Sequence, residues 1–145
     1  MSMLTACDAR PAFSATVDLT RRSDTVRYAR NAVRAFVEEH GLPEHRDCPG
    51  AHDAAHSALL VVSELVTNAC VHAGGPLEMC LGLYGGKLFI EVCDDSRAVP
   101  GVVDAGERGT EGGFGLGVVL AVADHWSVVR TSWGKRITVL LPLSC

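Results

Sequence analysis

Aromatic residues are scarce in this 145-residue sequence, at 6% of the total, so its core has to be assembled from aliphatic side chains. Positive charge is not in excess either. Thirteen Lys and Arg against 17 Asp and Glu leave a net charge of −4, which argues against nucleic acid as the main partner. No uninterrupted apolar run approaches the roughly 20 residues of a membrane span, and residues 1–11 carry no signal-type apolar core. The expectation is a cytoplasmic protein with no membrane contact. None of the six cysteines (Cys7, Cys48, Cys70, Cys80, Cys93, Cys145) forms a Cys-x-x-C pair. Three fall in apolar helix or strand patterns, which in a reducing compartment reads as free, mostly buried thiols. There is no Gly-Lys-Ser/Thr triplet for a P-loop, and the glycine run does not follow a strand directly as a Rossmann motif requires.

What is present is an ordinary globular balance, 48% hydrophobic and 21% charged, long enough for one two-layer domain. We place that domain at residues 12–142, with short tails at 1–11 and 143–145. Phe13 to Leu19 alternates as a half-buried strand. A helix follows to about His40, opened by Ser23 or Asp24, striped with Val26, Ala29, Val33, Phe36 and Val37, and ended by Gly41. Arg27, Arg30 and Arg34 share another face of it, after Arg21 and Arg22. They read as a solvated face, with Arg34 and Glu38 one turn apart; as a docking surface they could steer an acidic partner.

A second helix runs from about Ala51 to His72 or Ala73, with Ala55, Leu59, Val62, Leu65, Val66 and Ala69 on its apolar face. Two alternating strands, Leu77–Leu83 and Leu88–Asp94, meet at Gly85-Gly86. Periodicity then lapses from Ser96 to Gly113. A third helix starts near Gly115, and a closing hairpin pairs Trp126–Thr131 with Ile137–Leu141 around Trp133-Gly134. The order β-α-α-β-β-loop-α-β-β predicts an α+β two-layer α/β sandwich: a mostly antiparallel, mixed sheet with helices on one face.

Three features in this frame carry chemistry. Glu64, Asn68 and His72 recur every four residues and form a polar ridge beside the buried stripe. Asp94 ends a strand in phase with Leu88, Ile90 and Val92, where a carboxylate without a donor is costly. Gly113-Phe114-Gly115-Leu116-Gly117 joins a long loop to a helix start, whose free N–H groups and positive dipole suit phosphate. A smaller pattern, Cys48 with His52 and His56, has metal-ligand spacing, but no second ligand cluster accompanies it.

In this chain order the three features resemble the GHKL (Bergerat-fold) ATPases, which include histidine-kinase catalytic domains. Val62-Ser63-Glu64-Leu65-Val66-Thr67-Asn68-Ala69 and His72-Ala73-Gly74-Gly75 resemble a narrower group, the anti-sigma-factor serine/threonine kinases and their actinobacterial relatives. The similarity spans residues 12–142. It implies ATP and Mg²⁺ as cofactors, Glu64 as general base toward a Ser or Thr hydroxyl, and Asn68 as a Mg²⁺ ligand shared with the phosphates. It further implies Asp94 as reader of the adenine amine, Gly113, Phe114, Gly115 and Leu116 around the phosphates, His72 beside the nucleotide, and Ser96–Gly112 as an ATP lid. The implied partners are an anti-sigma antagonist protein, a sigma factor and a second copy of the chain. The alternative is a nucleotide-gated partner-switching module without turnover. Two positions depart from the family pattern: Ser96, where many members carry glycine, and Lys135-Arg136-Ile137, where relatives often show Lys-Thr before an apolar residue.

Overall fold

Alternation along the strands and three-to-four spacing along the helices give seven bounded elements among the residues that a computed structural model describes, 13–41, 54–84, 86–96, 117, 119 and 122–143. They are β1 (Phe13–Asp18), α1 (Thr25–Glu39), α2 (Ala54–His72), β2 (Pro76–Tyr84), β3 (Lys87–Asp94), β4 (His125–Arg130) and β5 (Lys135–Pro142). Gly117, Val119 and Val122 are helical, in the stretch where a third helix is predicted. The tail 1–11, Cys48, His52 and most of the expected lid lie outside the described residues.

The strands form one sheet in the order β1-β2-β3-β5-β4, and each neighbouring pair is antiparallel. One face carries Met79 and Leu81 of β2, Leu88, Ile90 and Val92 of β3, and Ile137, Val139 and Leu141 of β5, all buried. Against it packs α2 through Ala58, Val61, Val62, Leu65 and Val66, while Ala29, Val33 and Phe36 of α1 complete the core. α2 touches β2, β3 and β5, whereas α1 leans on α2, β1 and β2. Full burial of an aliphatic side chain is worth about 1.5–3 kcal/mol, so this shared face holds the two layers together. By length and mean hydropathy (1.4) Ala54–Val71 would pass for a membrane span. Half of that window is buried, with Ala58, Val61, Val62, Leu65 and Val66 in the core, whereas Leu60 and Val71 are exposed.

Helix ends differ from expectation in detail. Asp24 occupies the N-cap position of α1 but makes no capping bond; its carboxylate takes Arg22 Nε at 3.2 Å and lies 3.9 Å from Arg27. Arg22 also stacks 3.5 Å over the Tyr28 ring. Gly41, at φ +55°, follows the helix as predicted. On the basic face of α1, Arg27 and Arg34 are exposed as expected, and Arg30 is a correction. Arg30 is half-buried and turned onto α2, where Nη1 donates to Ser63 Oγ (2.6 Å) and Leu59 O (3.3 Å). Arg34 donates to Asn31 Oδ1 instead of pairing with Glu38. A helical wheel groups side chains by direction but is blind to the neighbouring helix that claimed Arg30.

Candidate nucleotide site

The polar ridge of α2 keeps its predicted spacing. Asn68 is buried, at 8% exposure, and is not without a partner. Glu64, one turn earlier, is half-buried, and its carboxylate has no hydrogen-bond or ion-pair partner among the described residues. The His72 side chain lies outside the described set, as do Gly113, Phe114, Gly115 and Leu116. His56, the described member of the Cys48/His52/His56 pattern, is exposed. Among the described residues no three His, Cys, Asp or Glu side chains gather where they could hold a metal. Among the described residues the ridge thus offers the Glu64 carboxylate and one amide oxygen, that of Asn68. That suits Mg²⁺ completed by phosphates and water better than an all-protein cage.

α2 stops where Gly75, at φ +112°, turns the chain and donates back to Ala69 O (3.1 Å). Gly74 N in turn donates to Asp95 Oδ1 (3.1 Å). A side chain at Gly74 would press on that carboxylate, with its Cβ 3.0 Å from Oδ2. This joint ties the C-terminal end of the Asn68 helix to the end of β3.

Asp94 is the core-facing terminus of β3, 2% exposed. The required donor is Lys135, the residue directly opposite it on β5. Lys135 Nζ donates to Asp94 Oδ1 at 2.8 Å and to Ser96 O at 3.3 Å, and Ser96 N adds a second bond to the same Oδ1 at 2.9 Å. Both side chains are nine-tenths or more buried, at 3% and 5% exposure. Oδ2 receives no donor among the described residues. The carboxylate therefore has one saturated oxygen and one still able to accept.

Lys135 is the residue that reading the sequence passed over. The signal was available: Lys135 is in phase with Ile137, Val139 and Leu141, so its side chain had to enter the helix-covered face, where an unpaired ammonium is as costly as an unpaired carboxylate. The hairpin before it is built by Thr131, whose Oγ1 accepts from Gly134 N (2.9 Å) and Trp133 N (3.3 Å).

A family model described as a histidine kinase-like ATPase domain matches residues 19–141. The chain belongs to this family. As a histidine kinase-like ATPase domain it is a fold for which ATP is the expected ligand. Among solved structures it is similar to the RsbU and RsbW domains of Rv1364c from Mycobacterium tuberculosis, with a TM-score of 0.63 at 17% identity, over 91% of this chain and 32% of that one. This chain thus spans about a third of that protein's length, and the likeness is one of fold. Weaker matches are the histidine kinase domain of the blue-light activated histidine kinase EL346 from Erythrobacter litoralis and the histidine kinase AdeS from Acinetobacter baumannii. The first has a TM-score of 0.47 and 22% identity over 81% of this chain and 60% of the other. The second has 0.46 and 14%, over 98% and 73%. No curated protein is matched by sequence.

The thiols described are free. Cys93 is buried and Cys80 half-buried, but Cys70 is exposed, against the expectation of mostly buried thiols. Burial, then the neighbouring Glu91, pushes the Cys93 thiol up to about 12. Burial also raises Cys80, offset in part by its bond with Thr16.

Proposed function

We propose that this domain binds Mg-ATP and transfers the γ-phosphoryl group to a Ser or Thr hydroxyl on a small antagonist protein of the anti-sigma type, sequestering a sigma factor as its second role. The observation that carries the nucleotide part is Asp94 Oδ2, a buried acceptor with no donor among the described residues, at the end of the strand docked beside the Glu64/Asn68 helix. An exocyclic amine is the donor such an oxygen lacks, and adenine carries one. The protein-kinase part rests on the resemblance of residues 62–75 to the anti-sigma kinases.

In this reading Asn68 supplies one oxygen to Mg²⁺, and the metal, when bound, neutralises charge on the transferring phosphate. Glu64 accepts the proton of the attacking hydroxyl; its lack of any partner among the described residues leaves it available. Gly113, Phe114, Gly115 and Leu116 close on the phosphates through backbone N–H groups, with His72 beside the nucleotide and Ser96–Gly112 as the lid. Phosphoryl transfer asks mainly for positioning and electrostatics, so a few side chains and a loop are sufficient. We place the protein in the cytoplasm, acting as a homodimer.

The test is twofold. Calorimetry should show Mg-ATP binding by the wild type. Labelled phosphate should then pass to a cognate antagonist, and Glu64→Gln should abolish transfer while keeping binding. Binding without transfer to a verified partner would favour a nucleotide-gated switch over a kinase. No binding by a folded sample would end both.

A further inference from the structure

Lys135 is more than a counter-ion that makes Asp94 tolerable inside the fold. An ammonium has three N–H donors and no acceptor, and an ionised carboxylate only accepts. Two of the three donors of Lys135 are accounted for by Asp94 Oδ1 and Ser96 O. The third has no acceptor among the described residues. The pair therefore presents one unfilled acceptor, Oδ2, and one unfilled donor, Nζ–H, on groups held 2.8 Å apart.

Resting on the nucleotide reading above, we propose that Lys135 is a second base-reading residue. Asp94 Oδ2 accepts from the exocyclic amine of a 6-aminopurine, while Lys135 donates to the ring nitrogen beside it. That edge of adenine carries a donor and an acceptor side by side, the complement of what the pair has free. Guanine presents the two in the opposite order. In the same pose its oxygen would face the carboxylate and its ring N–H the ammonium, two repulsive contacts in a site with little water to screen them. Selectivity then comes from rejection as well as attraction. Because Ser96 N and Lys135 already fix Asp94 Oδ1, the reading groups are oriented before the base arrives and little is lost to ordering them.

The experiment compares equilibrium affinities by calorimetry for ATP, 1-deaza-ATP (ring nitrogen replaced by CH, amine kept) and purine riboside triphosphate (amine removed, ring nitrogen kept). Wild type should bind ATP about tenfold or more tightly than either analogue, the scale of one hydrogen bond to a charged group. In Lys135→Met the preference for ATP over 1-deaza-ATP should vanish while the preference over the amine-less analogue persists. Equal wild-type affinity for ATP and 1-deaza-ATP would overturn the proposal, and that arm needs no variant to fold. So would a Lys135→Met protein that still discriminates between them, or that binds ATP more tightly, since the lysine would then be a competitor for Asp94. A wild type that binds none of the three would remove the nucleotide site itself, a different result from binding without discrimination.

Discussion

Gly134→Ala should damage this protein far more than loss of a flexible residue explains. Gly134 is buried in the β4–β5 turn, with its backbone against the end of β3. A Cβ there would overlap the carbonyl oxygen of Asp94, 2.7 Å from Asp95 Cα and 2.9 Å from the Asp94 carbonyl carbon. Non-bonded carbons rest at about 3.5–4.0 Å, so the two segments would have to part by roughly 1 Å. All three neighbours are backbone, and no side chain can rotate aside. Overpacking of this kind costs about 1–3 kcal/mol. Parting the strands also stretches the Lys135–Asp94 bond on the adjacent rung, which takes the loss to about 3 kcal/mol or beyond. In a domain of this size that lowers Tm by about 10 °C. Gly86→Ala is the control: Gly86 has φ +78° and nothing within 4 Å of the added carbon, so its cost is the left-handed backbone strain alone, about 1–2 kcal/mol. Urea and thermal unfolding of both variants check the contrast, with Mg-ATP affinity as a second readout that should fall for Gly134→Ala alone. If Gly134→Ala unfolds no more easily than Gly86→Ala, the close approach is not what the turn requires.

Other expectations follow from the same contacts. Lys135→Met leaves Asp94 as an uncompensated buried charge and should cost about 3–5 kcal/mol, most of it recovered in Asp94→Asn/Lys135→Met; purely additive losses in urea unfolding would argue against a coupled pair. Arg30→Ala should cost about 1–2 kcal/mol by unfastening α1 from α2, whereas Arg34→Ala should stay within about 0.5 kcal/mol; equal effects would restore the single solvated face. Cys93 binds its proton more tightly folded than unfolded, so its contribution to stability is intact below about pH 9 and declines as pH rises toward 12. Cys93→Ala should flatten that alkaline loss in a pH series of unfolding curves. At pH 8, alkylation mapped by mass spectrometry should mark exposed Cys70 well before Cys93, and equal rates would contradict the burial of Cys93.

The elements and the ridge of α2 were legible because they depend on local periodicity. Glu64 and Asn68 lie one helical turn apart whatever surrounds them, and Asp94 faces the core because Leu88, Ile90 and Val92 do. Partners set by register were harder to read. Lys135 is 41 residues from Asp94, and nothing short of the β3–β5 alignment says that they are opposite. Parity pointed to Asp94 alone; the same parity in β5 would have marked Lys135 as its buried counterpart, yet pairing them also required knowing that β5, not β4, lies beside β3. Arg30 failed for a related reason: its place on α1 was right, but its environment belongs to α2. The glycine run and the His72 side chain lie outside the described residues, so their roles stay with the motif.

The sheet order also sets a burden on folding. Among the described strands only β2–β3 and β4–β5 are neighbours both in sequence and in space, and hairpins of this kind form in about 1–10 μs. The other two pairings close long loops, with bonded partners 64 residues apart for Thr16 and Cys80 and 41 for Asp94 and Lys135. Closure entropy comes before any contact repays it. β5 is the latest of the described strands in chain order, yet it is an interior one. A nascent chain that has completed β3 therefore holds an unpaired, strongly apolar edge open until β5 arrives, and such an edge is a template for another chain. The Lys135–Asp94 rung seals that edge at one end, so variants that weaken it should aggregate during synthesis before any defect shows in the folded protein.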